Sequence, residues 1–328
     1  MNSLGVFKDN KDGTIKSVFK VDNGIIEMSL LMNKENMDVV CVPTHHFCNM
    51  GCKMCHLTNN KLNKKMVPIN IEDFLKCLVK SVNNNIGFRR TNKKKLLISF
   101  MGVGEPLLNL NLIEKVYKSE YYIKERLGYE DVSYALATMM PNDNILKLTE
   151  LVNSINMPLK IHFSLHNPID LKRKELIPST KVSVEEALNY LNNYRDIVQS
   201  NKIIIDKYIK FHRTNNPIEI HYTLIDNVND SDIELNTMIN LLTKYKIPIK
   251  FLKFNPTKTM SISKNEDKWI NRIKKEIPNL RVKTYSPPGK EVGSSCGEFT
   301  KHYYHEEIES KKDKLEFENW VKNHQIFN

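Results

Sequence analysis

An α/β fold built on a parallel sheet is what this chain predicts, and three observations predict it. Six apolar or β-branched runs of strand length alternate with helical patterns. The unusual residue clusters follow strand ends, where such folds place their active sites. The 328 residues, 41% of them hydrophobic, suffice for one large α/β domain with small additions or for two modest domains. Right-handed crossovers between the strands suit a partial barrel or an open doubly wound sheet.

The chain begins as β structure. Positions 14–22 alternate, Asn23-Gly24 is a two-residue hairpin turn, and 25–32 return as the second strand. Strands are predicted at 37–43, 95–101, 132–138, 159–166, 218–225 and 248–254, with an extended piece at 280–285. Helices are predicted at 71–82, 110–127, 144–155, 184–199 and 233–245. The first has acids in its opening turn, and the fourth starts with a capping box, Ser183 with Glu186. The last 25 residues read as an amphipathic, charged helix. The resulting division is a 1–36 hairpin extension, a 37–300 core and a 301–328 helical tail.

Charged residues make up 27% and mean hydropathy is -0.44, as in a soluble protein. No run approaches the roughly 18 apolar residues of a membrane span. Residues 1–14 have no apolar segment of a secretory signal, so a cytoplasmic protein without membrane attachment is expected. Net charge is +11 and the pI about 9.1, which favours polyanions, nucleic acid first. A Lys-, Asn- and Ile-rich composition produces the same charge without any partner. The run Arg89, Arg90, Lys93, Lys94 and Lys95 suits phosphates or a solvated loop equally.

Of six cysteines (41, 48, 52, 55, 77 and 296), three crowd into eight residues, Cys48-x3-Cys52-x2-Cys55. A secreted disulfide framework would spread more cysteines over a shorter chain. Iron–sulfur clusters are held by thiolates, normally four, so three leave one iron open for chemistry. The alternative is a structural zinc with His45, His46, His56 or Cys41 as fourth ligand. Met101-Gly102-Val103-Gly104-Glu105-Pro106 follows a strand; its glycines would let backbone approach a ligand, and Glu105 could hold an ammonium group. Cys296, in Gly293-Ser294-Ser295-Cys296-Gly297, has the polar, small-residue setting of a reactive thiol, whereas Cys77 reads as a core residue within a helix.

Together these residues resemble the RlmN/Cfr group of radical S-adenosylmethionine (SAM) RNA methyltransferases, from about residue 12 to about 299. Cys41-Val42-Pro43 stands seven residues before Cys48, as the family's extra cysteine does. Met101 to Asn109 reproduces the family's Met-Gly-x-Gly-Glu-Pro-Leu-Leu-Asn. Ser164-Leu165-His166, Asn229-Asp230, Asn255-Pro256 and Cys296-Gly297 follow in the family's order. The resemblance implies a partial (β/α)6 radical SAM barrel with a 4Fe–4S cluster on Cys48, Cys52 and Cys55 and SAM on its open iron. It implies SAM contacts at Gly104, Glu105, Ser164, Leu165, His166 and Asn255. Cys296 would be methylated first, Cys41 would supply the second thiol and form a disulfide with Cys296, and Glu27 would accept the proton. The product would be adenine methylated at a ring carbon, carbon 2 favoured, in rRNA or tRNA, made by a monomer fed by an external electron donor.

The chain also departs from the family. The hairpin starts near residue 14, without the N-terminal RNA-binding domain that bacterial members carry before it. Ala135-Leu136-Ala137-Thr138 stands where the family has Ser-Thr-x-Gly near the SAM ribose, and Lys61-Leu62 and Lys64-Lys65 replace Gly-Phe and Arg-Asn. The loop before Cys296, starting Tyr285-Ser286-Pro287-Pro288-Gly289, is longer than usual. Three rival readings stay open: a carbon 8 methyltransferase of the Cfr type, a radical SAM enzyme with a non-RNA substrate, and a zinc-stabilised, non-catalytic RNA-binding protein.

Overall fold

The computed structural model describes residues 1–31, 37–57, 65–83, 94–257, 259–290 and, as backbone, 325–327. The chain divides into two compact units, Met1–Asn49 with His56–Ala135 and Pro288–Asn328, and Met50–Cys55 with Leu136–Pro287.

The first unit holds strands β1 (Asn2–Lys8), β2 (Ile15–Val21), β3 (Gly24–Leu31), β4 (Asp38–Cys41) and β5 (Lys95–Phe100), and the start of β6 (Asp131–Thr138). Antiparallel pairing joins β1 to β4 in succession, and β4 pairs with β5 in parallel. Strand β1 has no counterpart in the sequence reading. Gly5 interrupts its alternation, and the β1–β2 register shifts between Ser3 and Gly5, a bulge that hides the period-2 signal. The hairpin turn is Asp22-Asn23, one residue earlier than expected. Gly24 already pairs with Val21 as the first residue of β3.

Register sorts the side chains of this sheet. Phe19, Ile26, Met28, Leu30, Val40, Ile98 and Phe100 share one face. Helix α1 (Ile71–Asn83) covers that face, with Phe74 stacked on Phe100 at 6.1 Å. The opposite face carries Lys16, Glu27, Ser29, Cys41 and Ser99. All but half-buried Cys41 are buried. The expected 110–127 helix is two, α2 (Leu110–Lys118) and α3 (Glu120–Leu127). They part at Ser119, whose hydroxyl bonds back to the Lys115 carbonyl at 2.8 Å and competes with the helix ladder.

The second unit holds the end of β6 and strands β7 (Leu159–Ser164), β8 (Ile218–Tyr222), β9 (Ile249–Leu252) and β10 (Val282–Tyr285). The β7–β8, β8–β9 and β9–β10 pairs are parallel. Helices α4 (Asn144–Ser154), α5 (Asp170–Leu176), α6 (Val184–Ser200), α7 (Lys202–His212), α8 (Asp232–Tyr245) and α9 (Glu266–Glu276) connect them. The capping box forms as expected: the Ser183 hydroxyl accepts from Glu186 N, and Glu186 accepts from Ser183 N. Helices α5, α7 and α9 were not expected from the sequence. Trp269 of α9 is fully buried and stacks on Tyr222 at 5.3 Å.

Within each unit the described strands of the parallel part are neighbours in chain order. The expected C-terminal helix falls mostly outside the described residues. Within its span Gln325–Phe327 form a short strand, β11, antiparallel to β1, because an edge strand offers free backbone donors and acceptors there. Among the described residues no helix is long and apolar enough to cross a membrane.

Candidate active site

In the first unit the ends of β4 and β5 continue as two interlocked loops. Val42 N bonds to Ser99 O, Gly102 N to Val42 O, and Thr44 N to Val103 O, all within 3.0 Å. Gly102 and Gly104 make this possible, but the close neighbour is protein. A Cβ on Gly102 would lie 2.7 Å from Pro43 N. One on Gly104, whose φ is +106, would strike His45 Nδ1 and lie 2.7 Å from Thr44 Oγ1. Glu105 is buried and caps a 3₁₀ turn (Pro106–Leu108), accepting from Leu107 N at 3.0 Å. Asn109 closes the assembly: its amide donates to Thr44 O at 2.8 Å and Ile69 O at 3.3 Å, and its carbonyl oxygen caps α2 at Leu112 N. The sequence motif contained Asn109 without revealing this role.

Glu27 and Cys41 stand on the same polar face. Ser29 pairs with Cys41 across β3 and β4, and Glu27 lies two residues from Ser29. Continuing that register brings Glu27 level with Pro43, at the root of the loop that carries Cys48. His46 in this loop touches β3 directly, Nδ1 to Ile25 O at 3.2 Å. Glu27 is buried and paired with the equally buried Lys16 at 2.8 Å. His45 bonds through Nδ1 to Thr44 Oγ1 at 2.9 Å; burial, then the charge of His46, pulls its pKa to about 4.

In the second unit the segment 50–55 rests on the end of α5. Lys53 N donates to Leu176 O at 3.0 Å, and the Ser179 hydroxyl donates to Met50 O. Cys55 N closes a turn onto Cys52 O at 3.0 Å. Met139, Leu176 and Ile177 form an apolar shelf against Met50, Cys52 and Met54. The Cys52 thiol lies 3.8 Å from the Met139 sulfur.

At the end of β7, Ser164 pairs with His221, and Leu165 N donates to His221 O at 3.1 Å. His166 then adopts a left-handed φ of +53, uncommon for a side-chain-bearing residue. Asn229 holds it there: its amide donates to His166 O at 2.6 Å and Thr223 O at 2.8 Å, and its oxygen accepts from Ile225 N. Asp230 beside it accepts from Ser263 and Asn265. The Asn229-Asp230 pair is thus a brace for the strand ends. His166 Nδ1 accepts from Thr223 N at 3.2 Å, which leaves the proton on Nε2. Burial, then the charges of His221 and Arg173, lowers its pKa to about 3. Asn255 follows β9, half-buried.

A second polar group lies on this sheet, unannounced by the sequence. His162, Glu219 and His221 bring a nitrogen or oxygen each within 4.8 Å of one another. Lys250 and Lys160 both reach the same Glu219 oxygen, at 2.6 and 3.1 Å. The two ammonium groups already neutralise that carboxylate, so the cluster is a buried ion-pair network rather than a cation cage. Burial raises the Glu219 pKa, but His162, His221 and Lys160 outweigh it and hold the carboxyl well below the usual range.

Cys48, Cys52 and Cys55 are half-buried thiols, as is Cys41, while Cys77 is buried with its thiol pushed up to about 12 by burial. Three thiols within eight chain positions, two of them in one turn, suit an iron–sulfur cluster with one open iron. No disulfide forms among the described residues. Cys296, Arg89, Arg90 and Lys93 lie outside the described residues. Lys94 of that basic run pairs with Glu130 at 2.7 Å, and Lys95 opens β5.

The fold is similar to that of a solved radical SAM methyltransferase. A solved radical SAM methyltransferase from Sphaerobacter thermophilus superposes with a TM-score of 0.68, 20% identity, and coverage of 90% of this chain and 80% of that one. The resemblance read from the sequence holds: curated homologues across many bacteria carry the name RlmN. A probable dual-specificity RNA methyltransferase RlmN of Clostridioides difficile is 26% identical over 299 residues, 89% of this chain and 77% of its own length. The dual-specificity RNA methyltransferase RlmN of Buchnera aphidicola is 25% identical over 298 residues, 89% of this chain and 75% of its own. No family model matches the chain.

Proposed function

We propose that this protein is a radical SAM RNA methyltransferase that methylates a ring carbon of adenine, carbon 2, in rRNA or tRNA through a methyl group carried on Cys296. The observation that carries the reading is the shared face of β3 and β4. There Glu27 and Cys41 stand together at the root of the loop bearing Cys48. The similarity to named RNA methyltransferases over 89% of the chain supplies the substrate class.

Cys48, Cys52 and Cys55 would hold a 4Fe–4S cluster with SAM on its open iron, and an external electron donor would reduce it. Bound together, the two supply a carbon radical able to act on a ring carbon that is not nucleophilic. The chain's own residues do the rest. Gly104, Glu105, Ser164, Leu165, His166 and Asn255 are the residues proposed to bind SAM. Neutral His166 offers an Nε2 donor for that purpose. Cys296 holds the methyl sulfide. Glu27, held in place by Lys16, takes the ring proton. The Cys41 thiolate attacks the Cys296 sulfur; the bond from that sulfur to the base-bound carbon breaks, its electron pair stays on that carbon, which takes up a proton to become the methyl group, and the Cys41–Cys296 disulfide remains.

Chain geometry supports the meeting of Cys41 with Cys296. Gly289 N donates to Asp12 at 2.6 Å, which ties the chain before Cys296 to the turn entering β2. Seven residues from Gly289 reach about 25 Å. Cys41 lies two strands from Lys16, roughly 10 Å. A buried pocket requires a splayed base, so a loop or single-stranded adenine is the substrate form.

The test uses protein purified without oxygen and reconstituted with iron and sulfide, then incubated with SAM, a reductant and total RNA. Mass spectrometry reads 5′-deoxyadenosine and methyladenosines, with Cys296→Ala alongside. Carbon 2 methyladenosine that depends on Cys296 supports the proposal, and a carbon 8 product would replace it with the Cfr-type reaction. SAM cleavage without a methylated base would remove RNA as substrate. Protein with about one zinc and no iron after purification would overturn the enzymatic reading.

A further inference from the structure

Arg173 is fully buried, and the proposed chemistry gives it no part. Its Nη2 donates to Met139 O at 2.5 Å and its Nε to Leu165 O at 3.1 Å, with the guanidinium 5.2 Å above the Phe163 ring. Met139 is the residue whose sulfur meets the Cys52 thiol, and Leu165 lies between Ser164 and His166. Arg173 also belongs to the helix whose end seats the cysteine segment: Ile177 N bonds to Arg173 O at 2.7 Å, and Leu176 O receives Lys53 N. One side chain thus touches the support of a cluster ligand and the strand end proposed to bind SAM.

Resting on the iron–sulfur reading above, we propose that Arg173 is a positioning residue that fixes the Met139 shelf against Cys52 and keeps a permanent positive charge one residue removed from that cluster ligand. That charge favours the reduced, more negative cluster and raises its reduction potential. Burial and fixed charge are levers by which a protein sets such potentials. The guanidinium suits the task because its planar fork reaches two carbonyls at once and never loses its proton.

The experiment measures the reduced fraction of the reconstituted cluster by electron paramagnetic resonance over a series of applied potentials, without RNA. Wild type, Arg173→Gln, Arg173→Met and Arg173→Lys are compared, with iron content and far-ultraviolet circular dichroism for each. The expected result is a reduced-to-oxidised ratio about tenfold lower for Arg173→Gln at a fixed potential, a shift of about 59 mV for one electron. Arg173→Lys restores most of it. Arg173→Met fills the same space without a polar head and carries the test if the glutamine variant does not fold. Wild-type potentials in the neutral variants would overturn the inference, as would loss of the whole fold in both, which would assign Arg173 to core stability alone. A wild-type protein that holds no cluster would instead overturn the iron–sulfur reading itself.

Discussion

Acid should destabilise this protein well above the pH at which its carboxylates titrate. His221 is buried and His166 half-buried, both neutral, their pKa values lowered to about 4 and about 3 chiefly by loss of solvent. His162 is displaced the same way. An unfolded chain takes up these protons near pH 6.5, and the folded chain does so only far lower. Stability is therefore full above pH 6.5 and falls as pH drops from 6.5 towards 4. Between pH 7.5 and 5.5 each such histidine removes about 1.3 kcal/mol, since one pH unit is worth 1.36. His166 and His221 together remove about 3 kcal/mol, and His162 acts in the same direction. That is a large share of the roughly 5–15 kcal/mol of a typical domain. Urea unfolding at pH 7.5, 6.5 and 5.5, followed by circular dichroism with cluster absorbance recorded in parallel, measures it. The Glu219 carboxylate cannot mimic the effect, because its lowered pKa confines its loss to more acid conditions. Equal stability at pH 7.5 and 5.5, with the cluster retained, would refute the reasoning.

Three substitutions probe the frame around the cysteines. Asn109→Ala strips a donor from two buried carbonyls and a cap from α2, a loss of about 3 kcal/mol in urea unfolding together with lower iron retention. Gly104→Ala places a Cβ against His45 and Thr44 at a left-handed φ; it should cost at least about 2 kcal/mol and release iron faster to a chelator. Glu27→Gln leaves Lys16 without that buried partner, at about 3–5 kcal/mol. The double change Lys16→Met with Glu27→Gln should recover most of this stability, read by thermal unfolding. Methylation that returns along with it would remove Glu27 from the chemistry.

The parts of the fold legible in the sequence are those written in local periodicity. The strands 95–101 and 132–138, the 184–199 helix and its capping box all appear within a residue or two of their expected bounds, because their signals lie inside the element itself. What escaped was set by contacts elsewhere. Strand β1 is broken by a bulge that only its pairing with β2 explains. The glycines of the Met101–Asn109 motif read as a ligand cradle, yet in the structure they admit a neighbouring loop. A glycine reports that something comes close and does not say what.

Arg173 shows where such reading stops. In sequence it lies between Lys172 and Lys174, in a charged stretch for which the sequence predicts no element. In the fold Lys172 reaches out to Glu234, while Arg173 turns inward and spends its donors on two carbonyls. The difference comes from helix phase: consecutive residues point about 100° apart, so one of two neighbouring cations can be buried while the other stays half-exposed. Burying it is tolerable because its fork meets acceptors in a geometry that a lysine ammonium cannot match. A cation retained at that cost beside Met139 and Leu165 separates two explanations that stability measurements alone would confuse. A core role would depend on the volume of the side chain, whereas a role toward the cluster depends on its charge. Arg173→Met keeps much of the first and removes the second, so the potential rather than the melting point decides between them.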